Sequence, residues 1–327
     1  MSLPALRAIR TRFPQAHIAI QARPWVADLY AREPFCNQII LHHAARGFRD
    51  LRGKLTLAAS LRREHFDCAI LLQNAFEAAF ITWAARIPRR IGYDRDGRGL
   101  LLTSAIPVPA KGELPPHESY YYLELLRRAG LIEHLPGAEP IQLEGASAAR
   151  ESGLTALTGL GLSHPVVGVS PGAAYGTAKR WLPERFAEAA VMLARQLHGS
   201  VAVFGSGDER DLCQTVVDRI QSGGVAARNM AGATTLRQYI DMAAACRVYL
   251  TNDSGAMHIA SALAVPTVAI FGATDHIATG PHGPLARVVR EPVECAPCLL
   301  RECPIDHRCM TLVTAERVAQ TALELVK

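Results

Sequence analysis

The sequence predicts an α/β protein of two open halves, each a mostly parallel sheet covered by helices, with a crevice between them. Short apolar runs alternate with amphipathic helical stretches along most of the chain, which is the pattern of parallel sheets. The alternation is broken once, from Leu135 to Ala148, by a segment rich in Pro, Gly and small residues that reads as a linker. The 327 residues, 49% of them hydrophobic, suffice for two cores.

The elements follow in order. Leu3 to Phe13 carries Leu3, Leu6 and Ile9 on one face and is predicted helical, with a strand at His17 to Gln21. Strand Gln38 to Leu41, helix Asp50 to Glu64, strand Phe66 to Leu72, helix Ala75 to Arg86 and strand Ile87 to Tyr93 continue the alternation. Pro107 to Pro116 is irregular, and His117 to Ala129 is a helix stopped by Gly130. After the linker a helix runs to about Leu160, and the second half predicts strand Val166 to Val169, helix Pro183 to Leu197, strand Val201 to Phe204, helix Asp208 to Gln221 and helix Leu236 to Ala245. Strand Val248 to Leu250, a small-residue helix from Gly255, strand Thr267 to Phe271 and a last helix, Thr314 to Val326, complete it; Thr314 is its expected cap.

Composition narrows the function. The formal charge of +5 is uneven: residues 1–150 hold 20 basic against 14 acidic residues, and residues 151–327 hold 15 against 16. The first half should therefore meet an anionic partner or surface. Nucleic acid is disfavoured, because no basic stripe is interleaved with stacking aromatics. Cys36, Cys68, Cys213 and Cys246 stand singly among apolar residues, as reduced thiols do. No apolar run reaches the roughly 18 residues of a membrane span, and the opening residues lack a signal-peptide core, so a cytosolic chain is expected.

Three strand ends of the second half carry polar, glycine-containing loops. In Ser170-Pro-Gly-Ala-Ala-Tyr-Gly-Thr-Ala-Lys-Arg-Trp181, Gly172 and Gly176 allow close approach of backbone N–H groups to a ligand, and Lys179 supplies a point charge suited to a diphosphate. In Gly205-Ser-Gly-Asp-Glu209, Asp208 or Glu209 is suited to accept from ribose hydroxyls, although Asp208 equally suits a helix cap. In Thr251-Asn-Asp-Ser-Gly-Ala-Met-His258, Asp253, Ser254 and Gly255 arrive at a helix N-terminus that favours an anion, and His258 lies one turn further on. The competing reading makes Asp253 or Ser254 a simple cap and His258 a core residue. No Walker A loop and no complete G-x-G-x-x-G fingerprint is present, which argues against a nicotinamide dehydrogenase.

The Ser170–Trp181 loop, Thr251–His258, Ile87-Pro-Arg-Arg-Ile-Gly-Tyr93 and Cys295-Ala-Pro-Cys298 together closely resemble the ADP-heptose:lipopolysaccharide heptosyltransferases of glycosyltransferase family 9, particularly the type II enzymes. The resemblance covers essentially the whole chain. It implies two Rossmann-like domains in a GT-B architecture, with residues 1–145 binding the acceptor and 146–327 the ADP-heptose donor. It further implies inverting, metal-independent transfer of heptose to Kdo-linked lipid A inner core, onto its first heptose, at the cytoplasmic face of the inner membrane. The resemblance implies that no cofactor is required. Matched position by position, Gly172, Ala174, Tyr175, Lys179, Asp208, Glu209, Asp253, Ser254, Gly255, Met257 and His258 are the donor-binding set. Lys179 and the backbone from Ser254 to Met257 would stabilise the leaving diphosphate, while Tyr175 departs from the small hydroxyl residue of some members. Members begin with a strand and a Gly-Asp turn ahead of the segment that Met1–Arg10 resembles. That turn holds the base, so the base is expected upstream, within roughly fifteen residues. The alternative is a nucleotide-sugar-binding protein without transferase activity; a sugar epimerase of the same fold would form product from the nucleotide sugar alone.

For an anionic acceptor, Arg49, Arg52, Lys54, Arg89 and Arg90 are the candidate contacts. Asp94-Arg-Asp96 is formally the D-x-D of metal-dependent transferases, but short acidic pairs are common in loops. Cys295, Cys298, Cys303 and Cys309 cluster in a Pro-containing loop, which suits a structural zinc, with His307 able to replace one thiol, or a redox-sensitive knot. Transfer chemistry does not call for either.

Overall fold

A computed structural model describes residues 1–43, 50–137 and 139–327. The chain divides into two compact units, Met1–Gly137 and Ala138–Lys327.

The first unit contains α1 (Leu3–Arg12), β1 (Ala19–Ala22), α2 (Pro24–Ala27), β2 (Gln38–Leu41), α3 (Leu51–Arg63), β3 (Cys68–Leu71), α4 (Phe76–Ala84), β4 (Arg89–Tyr93), β5 (Ser104–Ile106) and α5 (Ser119–Arg128). Strand β1 pairs with β2 in parallel, Ala19 opposite Gln38, and β3, β4 and β5 form a second parallel ladder with Cys68 opposite Arg89. Helix α3 starts where predicted because Asp50 caps it, its carboxylate accepting from the Gly53 N–H at 2.9 Å. Helices α1 and α5 supply Ala5, Ile9, Leu123 and Leu126 to a core completed by Ile91 of β4. The fully buried Arg98 ties strand ends together, its Nε donating to Tyr93 O at 2.9 Å and another guanidinium nitrogen to Gln73 O. A cavity of about 1510 Å³ is lined by both β1 and β3, each of which pairs with one strand among the described residues.

The second unit contains α6 (Ala146–Gly159), β6 (Val166–Ser170), α7 (Pro183–Leu197), β7 (Ser200–Val203), α8 (Arg210–Ser222), β8 (Ala227–Asn229), α9 (Leu236–Ala244), β9 (Val248–Asn252), α10 (Gly255–Ala262), β10 (Thr267–Ile270), α11 (His276–Thr279), β11 (Ala286–Val289), α12 (Arg308–Thr311) and α13 (Ala315–Val326). Its six strands are all parallel in the order β8-β7-β6-β9-β10-β11. Counted within the unit this is 3-2-1-4-5-6, the doubly wound order, and the order reverses between β6 and β9. Strands β6, β7, β9 and β10 are buried along their whole length, which is why they read as continuous apolar runs. Helix α13 is capped as expected, Thr314 accepting from the Arg317 N–H at 3.3 Å. Among the described residues no helix is long and apolar enough to cross a membrane.

Candidate active site

The topology places the site. In an open parallel sheet the crevice beyond the strand ends opens where the order reverses, and the loops after β6 and β9 flank that point. Ser170, last residue of β6, lies opposite Thr251 in β9, so the Ser170–Trp181 and Asn252–Gly255 loops leave the sheet side by side.

Asn252 joins them. Its side chain is fully buried; Oδ1 accepts from the Trp181 N–H at 2.9 Å, and Nδ2 donates to Pro171 O at 2.8 Å and Gly172 O at 3.3 Å. One amide thus fastens both ends of the loop that carries Lys179. Within that frame Lys179 Nζ donates to Asp253 Oδ2 at 2.6 Å, and the Thr274 hydroxyl donates to the same oxygen at 2.6 Å. The pair is largely buried, with side chains 14% and 6% exposed, where Coulomb attraction is less screened than at a surface. Among the described residues Asp253 Oδ1 accepts nothing, so a carboxylate oxygen is left for a ligand hydroxyl. The ammonium, with three donors, keeps two for an anion while Asp253 holds its direction.

At the start of α10 neither Asp253 nor Ser254 caps the helix through its side chain; the Ser254 hydroxyl pairs instead with that of Thr251 at 3.2 Å. The simple capping reading is therefore corrected, and the first N–H groups of α10 stay without a side-chain acceptor. Gly255 is exposed there, and His258 is half-buried one turn on. Met257 places its side chain in the core with Ala269 and Phe271, so only its backbone can serve a ligand. The reading of the second loop is corrected in part: the turn Gly207–Glu209 is closed by a reciprocal box between Ser206 and Glu209, the Ser206 N–H donating to Glu209 Oε2 at 2.9 Å, whereas Asp208 is exposed and caps nothing. The Glu209 carboxylate sits where a Cβ on Gly172 would fall, which brings the second loop against the first.

The cysteine loop is part of this assembly through its backbone and His307. Ala178 N–H donates to Arg301 O at 2.9 Å, His307 Nε2 to Ala178 O at 3.0 Å, and the Tyr175 hydroxyl to Leu299 O at 2.9 Å. Leu299 N–H donates in turn to Ala273 O at 2.8 Å, beside Thr274. A Cβ on Gly176 would overlap the Arg301 carbonyl, so Gly176 is needed for this backbone approach. Ala174 and Tyr175 are exposed at the loop tip. The zinc expectation gains no support: among the described residues no three His, Cys, Asp or Glu side chains stand as a metal-holding group, Asp94 and Asp96 included. Burial, then the neighbouring Cys295, Cys303 and Cys298, pushes the Cys309 thiol up to about 11, so it stays protonated at neutral pH.

The basic candidates of the first unit separate. Lys54 is 3% exposed and lies 3.8 Å from Glu77, so it presents no charge at the surface. Arg90 commits its guanidinium to the carbonyls of Leu101, at 2.7 Å, and Ile87. Arg52 and Arg89 are exposed, and Arg49 lies outside the described residues.

Comparison with known proteins decides the family. The sequence pattern of glycosyltransferase family 9 (heptosyltransferase) matches residues 54–308. The chain belongs to glycosyltransferase family 9. It is 33% identical over 297 residues to lipopolysaccharide heptosyltransferase 2 of Salmonella typhimurium, covering 89% of this chain and 84% of that protein. Among solved structures it matches the ADP-heptose lps heptosyltransferase II of Escherichia coli with a TM-score of 0.80 and 30% identity, over 99% and 94% of the two chains. The Escherichia coli heptosyltransferase WaaC with ADP matches in fold, with a TM-score of 0.73 at 16% identity over 99% and 95%. The family 9 chain is thus a glycosyltransferase, and the solved structures it matches are of the GT-B class.

Proposed function

We propose that the chain transfers heptose from ADP-heptose to the inner core of lipopolysaccharide, onto its first heptose, with inversion and without a metal ion. The observation that carries this reading is the Lys179–Asp253–Thr274 constellation at the reversal point of a doubly wound sheet, beside the uncapped start of α10. As the bond to the anomeric carbon breaks, charge collects on the departing diphosphate, and Lys179 with the first N–H groups of α10 is placed to receive it. Asp253 Oδ1 accepts from a heptose hydroxyl and orients the sugar, and His258 supports the same ligand. Glu209, with Gly172 alongside, borders the nucleotide. Inversion requires the acceptor hydroxyl to approach from the face opposite the diphosphate and to lose its proton to a base; no acid of this chain is assigned that role. The acceptor is a phosphorylated lipid carried at the cytoplasmic face of the inner membrane. The exposed Arg52 and Arg89 of the more basic half serve its anionic groups.

The test is ADP release from ADP-heptose, with acceptors bearing and lacking the first heptose, in the presence of a chelator. Release dependent on the first heptose and unaffected by the chelator is expected. Lys179→Ala should lower kcat more than 10-fold, the order seen on removal of one charge-stabilising donor. Saturable ADP-heptose binding without release on any acceptor would favour a binding protein, and release without acceptor dependence would defeat the proposal.

A further inference from the structure

The loop around Lys179 holds a second cation. Arg301 is exposed on the cysteine loop, its carbonyl fixed by the Ala178 N–H at 2.9 Å. Its guanidinium carbon lies 5.3 Å from the centroid of the Tyr175 ring, and Lys179 Nζ lies 5.0 Å from the same centroid. The ring is itself held, because the Tyr175 hydroxyl donates to Leu299 O, two residues before Arg301. Both cations are within the distance at which an aromatic face attracts positive charge.

Their states differ. Lys179 is matched by Asp253 at 2.6 Å, whereas among the described residues no carboxylate pairs with Arg301. Arg301 therefore carries the uncompensated charge of the two. Two like charges gathered at one tyrosine ring favour the entry of an anion, and a planar guanidinium with a fork of donors fits phosphate oxygens better than any other side chain. The stacked ring limits the freedom that binding would otherwise remove.

We propose that Arg301 binds the phosphate groups of the nucleotide-sugar donor, with Tyr175 as the platform that holds its guanidinium beside Lys179. The inference rests on the reading of this loop as the diphosphate site, and it adds a residue from a segment about 120 positions away in sequence. Arg301 makes the site bipartite: Lys179 arrives paired, and Arg301 brings the unpaired charge that attracts the donor.

The experiment is calorimetric titration of ADP, with adenosine as a phosphate-free control, into the purified chain and its Arg301→Ala, Arg301→Lys and Tyr175→Leu variants. Arg301→Ala should weaken ADP binding about 10-fold, in keeping with loss of a charge-assisted contact. Arg301→Lys should weaken it less, and Tyr175→Leu about 3-fold, as the stacking contribution predicts. Adenosine binding should not change in any of them. Unchanged ADP affinity in Arg301→Ala overturns the proposal, and if the KM for a phosphorylated acceptor rises instead, Arg301 serves the acceptor. A parallel loss of adenosine binding also overturns it, by showing that Arg301 acts through the shape of the loop. Should the wild-type chain bind no ADP, the diphosphate reading of the whole loop fails, a result told apart from the others because it appears without any substitution.

Discussion

Replacing Asn252 by alanine removes the group that links the two loops of the site. The amide makes three hydrogen bonds to the backbone, all inside the protein, and no water reaches the fully buried side chain to replace them. Leaving the Trp181 N–H and the Pro171 carbonyl without partners, with a smaller loss at Gly172, costs about 4 kcal/mol at 1–3 kcal/mol for each strong contact. In a unit spanning Ala138–Lys327 that should lower the melting temperature by about 10 °C, at roughly 2–4 °C for each kcal/mol. The same change frees both ends of the Lys179 loop, so ADP affinity should fall more than 10-fold, beyond what a purely global loss of stability produces in a protein still folded. Asn252→Asp separates shape from chemistry. Its carboxylate still accepts from Trp181 but sets an oxygen against the Pro171 carbonyl, now 2.8 Å from a donor, and it should be as damaging as alanine at neutral pH. Scanning calorimetry and ADP titration on both variants measure this. An Asn252→Ala protein that melts within about 2 °C of wild type and binds ADP normally refutes the assignment of Asn252 as the clamp.

Two further outcomes follow from the same structure. Gly176→Ala should reduce ADP affinity more than Gly172→Ala, because the new methyl meets the immovable Arg301 backbone in the first and the end of the Glu209 side chain in the second; equal effects would contradict the close approach of the cysteine loop. In the first unit, hydrogen bonds from Arg127 foremost and from Arg128 hold the Glu124 carboxyl below the usual range. A lowered native pKa gives stability that is complete above the unfolded pKa and is lost as pH falls through the native one. Glu124→Gln should therefore destabilise α5 by about 2 kcal/mol at neutral pH, with the difference from wild type shrinking under acid conditions, as hydrogen exchange in α5 would record; a difference that does not change with pH would speak against an ionic role.

The buried strands of the second unit were legible because burial on both faces leaves only apolar residues to mark them, as in Val166–Ser170 and Val248–Asn252. Strands β5, β8 and β11 were not, because each is three or four residues long, lies at the edge of its sheet and exposes part of its pattern, so neither alternation nor an apolar run stands out. The end of β9 was misplaced for a related reason. Thr251 and Asn252 are polar and read as turn, yet both are fully buried: the Thr251 hydroxyl donates to Asn252 O, and the Asn252 amide spends its polar atoms on the Ser170–Trp181 loop. In the site, Lys179 and Asp253 were visible through glycine placement and the strand-to-helix turn. The bond from Tyr175 to Leu299 spans 124 positions, and no local pattern announces a partner so distant. Thr274, which shares Asp253 with Lys179, lies just past the end of a strand in a stretch without motif character. The cysteine spacing suggested metal; it did not announce the backbone contacts that this segment makes to the Lys179 loop.

A donor diphosphate held at the reversal point of the second sheet is the central proposal. A crystal structure with ADP bound tests it most directly. Phosphate oxygens within about 3 Å of Lys179 Nζ and of the first N–H groups of α10 are the expected result. A diphosphate bound elsewhere, with the Lys179–Asp253 pair facing no ligand, would contradict it.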